Sequence, residues 1–154
     1  MRALRLHALN DAPMAFGSTL AREEAFTESV WHERAVGGAS GTDLVTFIAE
    51  EGPQWIGLAT GLAYDPENRG HAPMLAGMFV DPAKRGKGVG GELVKAVAAW
   101  ARAQGATSLY LWVTATNTPA IALYERCGFA RTAESQPLPH SPLILEFLMV
   151  RDLP

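Results

Sequence analysis

Lys84, Arg85 and Lys87 are interleaved with Gly86, Gly88, Gly90 and Gly91 immediately ahead of an apolar, helix-spaced stretch. Glycine lets a backbone approach a ligand closely and adopt positive φ, so successive N–H groups can converge on one anion. Leu93, Val94, Val97 and Ala101 recur at helical spacing, and the N-terminus of that helix adds unpaired N–H groups and a positive dipole end. Arg85 and Lys87 bring cations of the kind that hydrogen-bond phosphate oxygens. The segment therefore reads as a polyphosphate cradle.

Three phosphate-binding patterns compete for this loop. A P-loop requires G-x-x-x-x-G-K-[S/T], but Glu92 follows Gly91, so the lysine and the Mg²⁺-binding hydroxyl are missing. Gly86, Gly88 and Gly91 formally satisfy G-x-G-x-x-G, yet no Asp or Glu occurs between Glu92 and Glu125 to hold a ribose, which disfavours a nicotinamide-binding protein. The third pattern, [Q/R]-x-x-G-x-[G/A], is met by Arg85, Gly88 and Gly90 after an apolar strand, Met74 to Val80, and an Asp81-Pro82 turn. Downstream, Asn117, Ala120, Leu123, Tyr124, Gly128 and Phe129 satisfy N-x-x-A-x-x-L-Y-x-x-x-G-F. With both elements in this order, the chain resembles the GNAT superfamily of acyl-CoA-dependent N-acyltransferases.

The resemblance implies that Arg85, Gly86, Lys87, Gly88, Val89, Gly90 and Gly91 hold the CoA pyrophosphate. It also implies that the pantetheine arm pairs with the backbone of Met78, Phe79 and Val80, beside a bulge that Gly77 suits, since glycine in a strand often marks a kink. The same stretch reads equally as an ordinary core strand. Asn117 combines a helix cap with a cofactor contact. Tyr124, seven residues on and on the same helical face, is the candidate general acid: a phenol with an ordinary pKa of about 10 holds a proton for a departing thiolate. Outside the motif, such a tyrosine would be read as packing.

No residue stands out as the general base, because Ala72 to Val80 contains no carboxylate. Glu23, Glu24 and His71 are the titratable candidates for the base or acceptor site, each also readable as an ordinary surface residue. A substrate amine could instead lose its proton through ordered water. Trp31 reads as packing, and Cys127 as a small helix residue with nothing beside it to make a nucleophile.

The 154 residues, 48% hydrophobic, suffice for one domain over 1–154, and a net charge of −3 gives no general attraction to nucleic acid. One cysteine excludes an internal disulfide, and four scattered histidines form no metal-ligand cluster, so no metal is expected. There is no signal peptide pattern and no run of about 18 apolar residues; a cytoplasmic protein without a membrane partner is expected.

The elements that must carry these residues are helices at Met1–Leu9, Leu20–Phe26 and Ser29–Val36, with a turn over Ala12–Gly17 and a flexible break at Gly37–Gly41. A hairpin of Leu44–Glu50 and Gln54–Tyr64, a polar turn over Asp65–Gly70 and a strand over Ala72–Val80 precede the helix Gly88–Ala103, stopped by Gly105. Leu109–Val113 reads as a buried strand. Asn117 caps the next helix, Pro119 sits in its first turn and Gly128 ends it. Strands at Phe129–Ala133 and Leu143–Val150 finish the chain, joined by a stiff loop, Glu134–Pro142. This is an α/β fold, a GNAT-like mixed central sheet flanked by helices, lacking the family's first strand.

The expected function is N-acetyl transfer from acetyl-CoA to a primary amine, on a small molecule or a peptide, by direct attack in a ternary complex. The alternative is a non-catalytic CoA-binding regulatory module of the same fold. An open edge at Leu44–Glu50 would invite association, so a homodimer is expected.

Overall fold

The chain's most regular apolar pattern becomes α4, and the sheet is assembled against it. The computed structural model describes residues 1–67 and 69–154. The elements are α1 (Arg2–Asp11), α2 (Leu20–Glu24), α3 (Glu28–Ser40), β1 (Leu44–Glu51), β2 (Gln54–Leu62), β3 (Met74–Val80), α4 (Val89–Ala103), β4 (Ser108–Thr114), α5 (Thr118–Arg126), β5 (Ala130–Leu138) and β6 (Ser141–Asp152). Short 3₁₀ turns at Pro13–Ala15 and Pro82–Lys84 shape two of the connections. No helix among the described residues is long and apolar enough to cross a membrane.

The strands lie in the order β1-β2-β3-β4-β6-β5. Neighbours are antiparallel except β3 and β4, which run parallel and share a single registered pair, Met74 with Tyr110. Beyond that pair the two strands part, and a groove opens in the middle of the sheet. On β3, Gly77 and Met78 together oppose the single Ala59 of β2, because Leu58 pairs with Phe79 and Thr60 with Ala76. That extra residue is a β-bulge, and Gly77 takes its φ of +59° at no steric cost.

Two cores cover opposite faces. Leu93, Val94, Val97 and Ala101 of α4 meet Leu75 of β3, Leu109, Leu111 and Val113 of β4, and Tyr124 and Phe129. Val94 and Val97 are fully buried, which is worth about 1.5–3 kcal/mol each. On the other face Leu4, Ala8 and Leu9 of α1 pack with Phe16, Leu58 and Phe79.

Two expectations need correction. Residues 37–40 are not a break: α3 continues through Gly37 and Gly38 and stops at Gly41, which takes φ +72°. A Cβ on Gly38 would lie 2.7 Å from Thr46 Oγ1, so the small residue lets the helix settle closely on β1. The loop expected over 134–142 is mostly strand, since β5 runs on to Leu138 and only a tight turn separates it from β6. Pro137 is tolerated there because β5 lies at the sheet's edge, where a missing N–H need not break a ladder. The polar turn expected over 65–70 includes Asn68, which lies outside the described residues; before it, Asp65 accepts the Glu67 N–H at 2.9 Å. At the other margin, β1 is the sheet's edge and no strand precedes α1 among the described residues.

Candidate active site

The parting of β3 and β4 leaves a groove of about 760 Å³. Its walls come from Leu75–Val80 of β3, the 85–91 loop and α4 start, Trp112–Thr114 of β4, and Asn117, Leu123 and Tyr124 around α5. Ala12, Ala15 and Phe16 close one side, and Thr114 Oγ1 fastens that segment by donating to the Met14 carbonyl at 2.6 Å.

Gly88 is the N-cap of α4 in the left-handed region, φ +86°, and no side chain caps the helix. The first-turn N–H groups of α4 have no acceptor within the helix and remain available at the groove wall. Nothing lies within 4 Å of a Cβ built on Gly88, whereas one on Gly90 would come 2.9 Å from Leu123 Cδ2 and 3.3 Å from Met78 Cε. The two glycines thus have different causes. Gly88 serves backbone conformation, and Gly90 serves close packing of α4 on α5 and β3, not space for a phosphate.

The loop cations are less free than a mobile cradle would need. Arg85 donates from Nε to the Val80 carbonyl at 2.9 Å and from Nη2 to Asp11 Oδ2 at 2.6 Å. Lys84 pairs with Glu51 across the loop. Lys87 is exposed and is not part of the groove wall. Met78, Phe79, Val80, Arg85, Gly86, Gly88, Val89, Gly90, Gly91 and Asn117 all line the groove. Asn117 also caps α5, its Oδ1 accepting the Ala120 N–H at 3.3 Å.

Tyr124 reaches the groove from α5 while most of its ring is buried, 5.8 Å from the Phe129 ring in an edge-on arrangement. Burial, aided by the neighbouring Cys127, pushes its phenol well above the ordinary tyrosine value. The hydroxyl therefore keeps its proton throughout the neutral range.

None of Glu23, Glu24 and His71 lines this groove. Glu24 is exposed on α2. His71 is held by Glu134 at 2.9 Å and lies against the Tyr110 ring, centroids 5.3 Å apart. Glu23 is 1% exposed and accepts from Arg5 Nε at 3.0 Å, Arg5 Nη2 at 2.8 Å and Arg34 Nη1 at 3.0 Å. Burial pushes its carboxyl upward, but the hydrogen bonds and charge of Arg5, with the charge of Arg34, outweigh that and hold it below its ordinary value. A carboxylate held so firmly as the anion is a poor proton acceptor.

Sequence reasoning missed Trp112 and Thr114 as groove walls, although the alternation along β4 carries the signal: Leu109, Leu111 and Val113 face α4, so the intervening residues face the other way. It also missed Glu146, 7% exposed, which accepts from Gln136 Nε2 at 3.2 Å. Burial raises the Glu146 carboxyl despite that hydrogen bond. Its neighbours come from a separate turn and strand, and no local pattern marks it.

The profile of the acetyltransferase (GNAT) family matches residues 6–129. The mycothiol acetyltransferase of Corynebacterium glutamicum strain R is 44% identical over 68 residues, which is 42% of this chain and 23% of that protein. The streptothricin acetyltransferase of Streptomyces lavendulae is 51% identical over 51 residues, 33% of this chain and 27% of that protein. The chain therefore spans about a quarter of the length of these curated relatives. Among solved structures, a ribosomal-protein-alanine N-acetyltransferase from Brucella melitensis superposes with a TM-score of 0.73 at 23% identity, covering 99% of this chain and 94% of that one.

Proposed function

This chain belongs to the acetyltransferase (GNAT) family, and on that premise we propose that it is an N-acetyltransferase moving an acetyl group from acetyl-CoA to a primary amine. One observation carries the reading. A single groove joins an uncapped helix N-terminus, a bulged strand parted from its neighbour and a buried phenol. The open backbone at Gly88 and the first turn of α4 suits a pyrophosphate, and the parted edge of β3 at Met78–Val80 suits the amide-bearing arm of CoA.

Acetyl-CoA supplies an activated acyl carbon and a thiol leaving group. The chain's own residues then have separate tasks. Backbone N–H groups at the start of α4 anchor the anion, and Phe79 and Leu123 help exclude water from the groove. Tyr124 holds a proton for the sulfur as it departs. The described groove wall from Leu75 to Val80 carries no carboxylate, and Glu92, which lines the groove at the start of α4, is paired with Lys95 at 2.7 Å; in this reading the amine's proton leaves through water. The mycothiol, streptothricin and ribosomal-protein-alanine names of the relatives leave the acceptor open between small molecules and peptide amines.

Thiol release from acetyl-CoA, followed across a panel of amines, tests the reading. Release that requires an amine supports it; tight CoA binding with no release under any amine favours a non-catalytic CoA-binding module. The unpaired edge of β1 further supports a homodimer, checked by sedimentation at micromolar concentration; a clean monomer rules it out.

A further inference from the structure

A second cavity, about 370 Å³, lies between α1, α3 and strands β1–β3 and shares the wall Ala76–Gly77 with the groove. Arg5, Trp31 and Arg34 line it, together with the hydroxyls of Thr46 and Thr60. Two guanidinium groups here share a single carboxylate, Glu23; Arg5 also lies over the Phe16 ring, and Arg34, 41% exposed, over the rings of Phe26 and Trp31. Arg5 is 16% exposed and uses Nε and Nη2 on Glu23. Its Nη1 has no hydrogen-bond partner among the described residues and lies 3.9 Å from the point a Gly77 Cβ would occupy. Arg34 commits only Nη1 to Glu23. Independently, Trp31 is 5% exposed and its indole N–H has no partner among the described residues. Buried donors are nearly always paired, so an unpaired one beside two under-used guanidinium groups calls for an acceptor. Planar guanidinium donors grip a carboxylate or a phosphate at two points, and of the two a carboxylate is what the simplest amine acceptors carry beside their nitrogen.

From this geometry we infer that the cavity binds a carboxylate carried by the acceptor itself, so that the amine substrate is an amino acid or a similarly small amino-carboxylate. The inference rests on the acetyl-transfer reading. Glu23 is then a positioning residue, holding the two arginines while their remaining donors take the substrate's carboxylate. The amine end would lie toward Ala76–Gly77, the strand residues that the cavity shares with the groove.

The test compares matched pairs, glycine with glycinamide and alanine with alaninamide, by thiol release, and measures melting temperature with each compound alone. Amidation lowers the pKa of the amine, so chemistry without carboxylate recognition favours the amide. The expected result is a kcat/KM preference for the acid of about tenfold or more, expressed in KM. Arg34→Gln should bring that ratio toward one. Trp31→Phe, which keeps most of the ring, should shrink it by about 2- to 10-fold, and guards against a folding defect in the arginine variant. Turnover that favours the amide, or shows no preference, overturns the inference and leaves acetyl transfer standing. If no amine releases thiol, acetyl transfer falls, and melting decides the cavity: stabilisation by the acids alone, lost in Arg34→Gln, supports an anion site, and an equal response to acid and amide overturns it.

Discussion

The groove and the neighbouring cavity share Ala76 and Gly77 as wall residues, but they are built in opposite ways. The groove's anion end is backbone: a left-handed Gly88, an uncapped helix start and a bulged strand. The cavity is side chain: Arg5, Glu23 and Arg34, brought from three helices onto one ion-paired cluster. A backbone site is specified by a few consecutive residues and tolerates variation in the side chains around it. A side-chain site depends on how distant helices pack, and changes at any of its members propagate to the others.

The largest expected effect separates catalysis from both kinds of binding. Tyr124→Phe keeps the ring and removes the proton donor, so kcat should fall by about 10²–10⁴-fold while acetyl-CoA affinity hardly changes. Steady-state kinetics under conditions where chemistry limits turnover would show it, and an unchanged rate rejects the role.

Next comes the cavity's cluster. Glu23→Gln leaves two guanidinium groups facing each other without their carboxylate, and should cost about 2–4 kcal/mol of stability at pH 7, somewhat under the usual figure for a buried pair because Arg34 is 41% exposed. Glu23 is held below its ordinary value in the folded chain, so its contribution is present above the unfolded pKa and is lost as pH falls. Denaturation curves between pH 7 and 3 should therefore converge for the two proteins; a constant gap would contradict the ion-pair account.

The groove's glycines should answer differently from each other. Gly88→Ala meets no neighbour but is forced into the left-handed region, costing about 1–2 kcal/mol and shifting the loop, so CoA affinity should drop with stability. Gly90→Ala meets only the flexible ends of Leu123 and Met78 and gains up to about 1 kcal/mol of helix propensity, so stability should stay within about 1 kcal/mol of the parent and affinity should change little. Calorimetric titration with CoA beside thermal melts reads both. Equal losses of affinity would put the two glycines back into one role.

The smallest effect is alkaline. The Tyr124 phenol is raised in the folded chain, whereas an unfolded tyrosine ionises near about 10. Its contribution to stability is complete below that pH and declines above it. Tyr124→Phe should lose less stability than the parent between pH 9 and 11.

Much of the groove could be read along the chain because its parts are local. The spacing of Arg85, Gly88 and Gly90 and the Asn117–Tyr124 segment each lie within one turn or one helix, and Gly77 marked the bulge for the same reason. The candidates for base or acceptor site could not be sorted along the chain, because titratable residues carry no local sign of their partners. Glu23 looks identical on paper whether it faces solvent or two arginines, 18 and 11 residues away in sequence. Pro137 similarly argued for a loop, and only its position at the sheet's edge made a strand of it.

Period and composition alone settled the long amphipathic α4, the capped α5, the hairpin of β1 and β2 and the glycine loop, since short-range sterics and hydrogen bonding act within a few residues. Packing settled the rest. The parting of β3 from β4, the tether of Arg85 to Asp11 and the meeting of Arg5, Glu23 and Arg34 beside Trp31 depend on which faces are buried together. Burial and charge pairing are sums over neighbours that a linear chain does not yet have.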